Sequence, residues 1–212
     1  MMNTLKEQYF TQTWFDDTAR KVWEVLLLRI KPVRVLEIGS FEGASACFVI
    51  EACKWSSTLE LHCVDTWLGG REHVAASIDM GEVEARFDHN IAISQLKAHA
   101  NVTVHKHKRR SSEALIELLA EGRLNYFDFI YVDGSHSASD VLSDALLSFK
   151  LLRKGGVLAF DDYLWVDSED KDRNPLNSPK LAIDSFVNVY FSKVKIIQAP
   201  LYQIFVQKTV EE

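Results

Sequence analysis

Four carboxylates stand where apolar runs end: Asp65 after Leu59–Val64, Asp133 after Phe127–Val132, and Asp161 with Asp162 after Val157–Phe160. Carboxylate oxygens are hard donors that suit Mg²⁺. His136 follows Asp133 by three positions, and an imidazole titrates near neutrality, where it can take a proton from a hydroxyl. A further acid, Glu37, opens Glu37-Ile38-Gly39-Ser40-Phe41-Glu42-Gly43 directly after the apolar stretch from Val33. That stretch reads as a buried strand, a tight glycine turn and the start of a helix. Gly39 lets the chain bend where a side chain would clash, and Gly43 lets a ligand or the opening helix turn come close. The acid-x-Gly-x-x-x-Gly spacing is not the G-x-G-x-x-G dinucleotide pattern. A lone strand-end Asp is equally a turn former or a helix cap; four beside one glycine turn make a candidate site.

Such a rim needs strands that end at one edge of a sheet. The segment through Ile30 places Val22, Trp23, Leu26, Leu27 and Ile30 at helical spacing and reads as a covering helix. Strands are expected at Val33–Ile38, Leu59–Asp65, Val102–Val104, Phe127–Asp133 and Val157–Phe160. Helices are expected after Gly43, over Glu82–Ala98, over Glu113–Leu119 with Ser111 or Ser112 as cap, and over Ser137–Leu152 with Gly155-Gly156 as its stop. A last helix carries Ile183, Phe186, Val187 and Tyr190, and Val194–Ile197 with Tyr202–Val206 reads as an antiparallel pair. Alternating strands and helices predict an α/β fold: a Rossmann-like, doubly wound, seven-stranded and mainly parallel sheet with a C-terminal antiparallel hairpin and helices on both faces. Residues 1–212 read as a single domain, with a covering helix in 1–31 and the core in 33–212.

The formal net charge of −6 gives a nucleic-acid partner no support. The one basic run, His105–Arg110, reads as a strand end entering a solvated loop, with a polyanion patch as the alternative. No apolar stretch reaches the roughly 20 residues of a membrane span, and the polar start lacks a signal-peptide layout. Cys47, Cys53 and Cys63 form no CxxC pair and read as reduced core residues, so a cytoplasmic setting is expected. Trp14, Phe15, Trp23 and Tyr190 suit either a homo-oligomer face or core packing.

The Glu37–Gly43 stretch resembles the first motif of class I S-adenosylmethionine-dependent methyltransferases. Asp133-Gly134-Ser135-His136, then Leu151–Gly156, then Phe160-Asp161-Asp162-Tyr163 resembles the metal-assisted small-molecule O-methyltransferases, the catechol O-methyltransferase branch and, closer in motif, macrocin-type sugar O-methyltransferases. The resemblance runs from Val33 to Tyr190. It implies that Asp65 holds the cofactor ribose, that Thr66 and Trp67 or Leu68 adjoin adenine, and that Glu37, Gly39, Ser40 and Gly43 cradle the amino-acid end. Ser111 and Ser112 fall near the adenine edge, if they are not simply caps. Asp133, Asp161 and Asp162 occupy the Mg²⁺ positions, with Asp133 also at the cofactor, and His136 stands where the catechol branch has a lysine base, or else caps the next helix. The Asp-Asp pair departs from the Asp-Asn of the catechol branch and follows the sugar-modifying relatives. His62, His73, His89, His105 and His107 read as surface or strand residues, and Asp140 with Asp144 as a solvated helix face.

The implied activity is Mg²⁺-assisted methyl transfer from S-adenosylmethionine to a hydroxyl of a small acceptor such as a sugar or natural-product glycoside. The polar loops Trp67–Gly81 and Tyr163–Asn177 would border the acceptor. Alternatives are a metal-independent methyltransferase with His136 as base, a nicotinamide-dependent oxidoreductase, and a non-catalytic cofactor-binding domain.

Overall fold

The computed structural model describes residues 7–70, 73–74, 76–167 and 170–211. Two helices, α1 (Trp14–Thr18) and α2 (Arg20–Ile30), precede the sheet. Then come β1 (Arg34–Ile38), α3 (Ala44–Ala52), β2 (Thr58–Asp65), α4 (Met80–Lys97), β3 (Asn101–Lys108), α5 (Ser111–Ala120), β4 (Phe127–Val132), α6 (Ala138–Leu151) and β5 (Leu152–Phe160). A short 3₁₀ turn, Pro175–Asn177, leads into α7 (Pro179–Val189), and β6 (Val194–Ile197) and β7 (Ile204–Lys208) close the fold.

The seven strands lie in the order β3-β2-β1-β4-β5-β7-β6. β1 to β5 are parallel, and β7 runs antiparallel between β5 and β6. Side chains alternate across each strand and so build two cores. Val35, Leu61, Phe129, Tyr131 and Ala159 pack with Trp23, Val49, Phe87 and Ile91 from α2 to α4. Leu36, Ile38, Ile130, Val132, Leu158 and Phe160 pack with Leu115, Phe149 and Phe186 from α5 to α7. Sheet order reverses between β1 and β4, and at such a switch point ligands bind beyond the carboxyl ends of the strands.

The expected class, sheet and hairpin are present, and several local expectations change. The covering helix is broken at Ala19 into two pieces. Phe15 and Trp23 are buried, Trp14 is exposed, and Tyr190 stacks on Phe186. β3 continues through Lys108, so most of the basic run is strand and not loop. Three of its Lys and Arg cations are paired: Lys106 with Glu84 and Asp88, Lys108 with Glu84, and Arg109 with Glu117. α6 ends at Leu151 because β5 begins at once, and Gly155-Gly156 lie inside that strand instead of ending the helix. Gly156 is needed there because a Cβ would meet Leu152 at 2.8 Å and the Asp128 carbonyl oxygen at 3.0 Å. The last strand starts at Ile204, leaving Tyr202 outside it.

The three cysteines are free and buried. His62, read as a surface or strand residue, is buried, and burial pulls its imidazole down to about 4. Asp144, expected on a solvated face, is buried in α6, where desolvation pushes its carboxyl up to about 7 despite a hydrogen bond from Ser111. Among the described residues no helix is long and apolar enough to cross a membrane.

Candidate active site

The glycine turn and the end of β4 are built against each other. The Asp133 N–H donates to the Ile38 carbonyl at 2.8 Å. Gly39 has φ +87°, and a Cβ there would lie 1.9 Å from the Asp133 carbonyl oxygen. No side chain fits. Asp65, at the end of β2, staples the same turn: Oδ2 accepts from the N–H groups of Ser40 at 3.0 Å and Phe41 at 2.9 Å, while Oδ1 accepts from Trp67 at 2.7 Å. Asp65 is thereby set beside the turn with both lone pairs of Oδ2 engaged and one on Oδ1 still open.

Beneath the turn, Glu37 is buried and accepts from the Ser45 hydroxyl. Burial pushes its carboxyl up to about 7. Its Oε2 lies near Ser40 and Cys63 without a well-formed hydrogen bond, and the Ser40 hydroxyl is likewise buried and unsatisfied. A buried acceptor in that state is suited to a donor brought by a ligand.

The ends of β4 and β5 bring the remaining acids together. Asp161 is buried; its Oδ2 accepts from the Tyr131 hydroxyl and, at 2.9 Å, from Gln203 Nε2. Burial and the adjoining Asp162 charge push Asp161 up to about 6. Asp133 is likewise raised well above the usual carboxylate range, first by desolvation and then by the charges of Asp161 and Asp162. This pattern of desolvated, mutually repelling carboxylates is one that a cation relieves. Asp162 has φ +56°, a left-handed conformation rare for a residue with a side chain. The turn carries its carboxylate to His136 Nε2 at 2.9 Å, and the Tyr202 hydroxyl donates to its other oxygen at 3.2 Å. Trp165 stacks on the His136 ring with centroids 3.9 Å apart. A small crevice lined by Asp133, His136, Asp161 and Asp162 opens here.

Not every residue expected at the site is free to act there. Trp67 is buried against Phe87 and donates its indole N–H to the Phe41 carbonyl at 3.0 Å, so it belongs to the core. Its neighbour Leu68 is exposed, and the Thr66 hydroxyl accepts from the Leu68 N–H at 3.1 Å. Ser111 and Ser112 form the first turn of α5 instead of capping it; Arg110 takes the cap position and makes no side-chain cap bond. The histidine does not cap α6, which has Ser137 at that position. Tyr131, Trp165, Tyr202 and Gln203 were not legible as site residues. Tyr131 reads as one more strand apolar, and the other three reach the rim only because the loop after β5 and the approach to β7 fold back. The aromatic group Trp14, Phe41 and His73 beside the glycine turn was missed for the same reason.

Comparison with known proteins agrees with this architecture. Residues 36–163 match the family described as Methyltransferase domain. The sequence is 24% identical over 151 residues to "Probable caffeoyl-CoA O-methyltransferase 1" of Dictyostelium discoideum, covering 67% of this chain and 53% of that protein. The chain thus spans about half the length of the curated relatives it matches. Among solved structures, the O-methyltransferase TomG from Streptomyces achromogenes, in complex with S-adenosylmethionine, superposes with a TM-score of 0.62 at 19% identity, covering 90% of this chain and 79% of that one. An O-methyltransferase from Bacillus cereus, in complex with S-adenosylhomocysteine, gives 0.56 at 18% identity, covering 96% and 84%. With more than half of its length matched to the family and its sheet order that of the fold, the chain belongs to the class I S-adenosylmethionine-dependent methyltransferases.

Proposed function

We propose that this chain transfers a methyl group from S-adenosylmethionine to a hydroxyl of a small acceptor, with Mg²⁺ assisting. The observation that carries the reading is the convergence of Asp133, Asp161, Asp162 and His136 at one switch-point rim beside the Gly39–Gly43 turn. The O-methyltransferase names of the relatives support the reaction type.

In this reading the cofactor lies across the turn. Glu37, with its unsatisfied oxygen, receives the amino-acid end, and the lone pair left on Asp65 Oδ1 receives a ribose hydroxyl. Thr66, Ser111 and Ser112 border the adenine side. Asp133, Asp161 and Asp162 would hold Mg²⁺, which when bound lowers the pKa of an acceptor hydroxyl and aligns it. His136 takes the hydroxyl proton, and Asp162, 2.9 Å from Nε2, accepts from that nitrogen, orients the ring and steadies the imidazolium that forms. Trp165 stacks on the imidazole and fixes its plane.

One observation favours a metal-independent variant. The Asp162 carboxylate is committed to His136 and Tyr202, the arrangement of a carboxylate-oriented base. Calorimetric titration with S-adenosylmethionine, followed by a mass-detected screen of phenolic and glycosidic acceptors with Mg²⁺ and with excess chelator, separates the readings. Micromolar cofactor binding and product only with Mg²⁺ support the metal-assisted form. Undiminished product in chelator assigns the chemistry to His136 with Asp162, and no cofactor binding in either condition ends both.

A further inference from the structure

The far edge of the sheet gathers a second set of titratable side chains that the rim does not use. Glu60 and His62 share one face of β2, and His105 of β3 stands beside His62 in register. The two imidazoles stack with centroids 4.3 Å apart. Glu60 Oε1 lies 2.8 Å from His62 Nε2 and 3.8 Å from His105 Nε2. One carboxylate oxygen and two imidazole nitrogens therefore converge within 4.8 Å of one another. Tetrahedral zinc, with bonds to nitrogen and oxygen near 2.0–2.1 Å, sets its ligand atoms about 3.4 Å apart. The two measured edges bracket that value.

We propose that Glu60, His62 and His105 form a site for a divalent transition cation of the zinc type, separate from the carboxylate rim. Two imidazoles and one carboxylate suit Zn²⁺, Ni²⁺ or Cu²⁺, whereas an all-oxygen rim suits Mg²⁺. The surroundings fit. His62 Nδ1 lies 2.9 Å from His107 Nε2, the outer hydrogen bond that holds a metal-bound imidazole in place. On binding, His62 exchanges tautomer: Nε2 gives up its proton to face the metal, and Nδ1 carries one toward His107. His105 is part-exposed, which leaves the fourth position to water.

A competing cation is built into the site. Arg123 Nη1 lies 2.7 Å from the same Glu60 oxygen, while the Tyr126 hydroxyl donates to the other at 2.6 Å. Arg123 also pairs with Glu121, so it can release Glu60 without losing every partner. The site is independent of the rim. His62 precedes Asp65 by three residues, about 10 Å along the strand, and Asp161 follows β5, three strands from β2. Metal here would tie edge strand β3 to β2.

The test is equilibrium dialysis of tag-free protein against Zn²⁺, with metal analysis and thermal melts. One Zn²⁺ per chain at micromolar affinity is expected, with a raised melting midpoint and no displacement by excess Mg²⁺. Glu60→Gln and His105→Ala should each weaken binding at least tenfold, Arg123→Gln should tighten it several-fold, and Asp133→Asn should leave it unchanged. His105 is on an edge strand and Glu60→Gln keeps the shape, so at least one of the two variants reports on a folded chain. Absence of binding, full binding in both the Glu60 and His105 variants, or loss of binding in Asp133→Asn overturns the proposal.

Discussion

His136 acts only through where it is held. Asp162 on one side and the Trp165 face on the other fix its ring at the crevice. If His136 is the proposed base, replacing it by Ala removes that base and keeps the Gly39–Gly43 turn and its Asp65 staple. The expected result is a fall in kcat of about 10²- to 10⁴-fold, with cofactor affinity from calorimetry little changed. Loss of cofactor binding in that variant would assign His136 to the wrong half of the site. Asp144 makes a different case, one of stability. Its folded pKa lies near 7 against an ordinary 3.8, so the folded state holds the proton more tightly than the unfolded chain does. Its contribution is intact below pH 4 and is lost as pH rises towards 7, with a total on the order of a few kcal/mol. Asp144→Asn cannot ionise. Urea unfolding should show it little different from the parent at pH 4 and more stable at pH 8; an equal effect at both values would contradict the assignment. Asp133 and Asp161 were legible because an acid ending an apolar run is conspicuous. Asp144, His62 and Trp67 were not, because their burial is decided by partners on other elements, and spacing alone cannot show which helix face meets the sheet.

At the scale of elements, the backbone of the β1–α3 turn does what no side chain can. Gly39 and Gly122 both have φ near +85°. Their surroundings differ: a Cβ at Gly39 meets the Asp133 carbonyl at 1.9 Å, while one at Gly122 meets nothing within 4 Å. Gly122→Ala should therefore cost only the conformational strain, about 1 kcal/mol. Gly39→Ala must also part β1 from β4, and its thermal midpoint should fall several times further, with cofactor binding lost. Similar midpoints for the two variants would show that the turn relaxes freely. The turn was legible from its two glycines, and the strands from their apolar runs. Boundaries were less so. β3 extends into His105–Lys108 because Asp88 and Glu84 on α4 neutralise Lys106 and Lys108, and β5 takes in Gly155-Gly156 because it packs against the Asp128 backbone. Both depend on neighbours distant in sequence.

Across the whole molecule, topology turns residues far apart in the chain into one rim, and it sets a stability problem at the same place. Alternating strand and helix was enough to anticipate the doubly wound sheet, since parallel strands need covered crossovers. What that pattern could not show is that the rim is electrostatically unfavourable by itself. Desolvation raises the pKa of both Asp133 and Asp161, the Asp162 charge adds to each and the Asp161 charge adds at Asp133, and Tyr131 and Gln203 answer only part of that demand. If the rim holds Mg²⁺, binding must stabilise the fold, because a ligand of the native state adds about 2.7 kcal/mol at one hundred times its Kd. For a chain of this size that corresponds to a rise of roughly 5–10 °C in melting midpoint. Mg²⁺ should produce this rise in the parent protein, and Asp133→Asn and Asp161→Asn should abolish it while S-adenosylmethionine still stabilises both variants. A parent midpoint indifferent to Mg²⁺, in a protein that S-adenosylmethionine does stabilise, would leave Asp162 as the partner of His136 and move the chemistry to the metal-independent base.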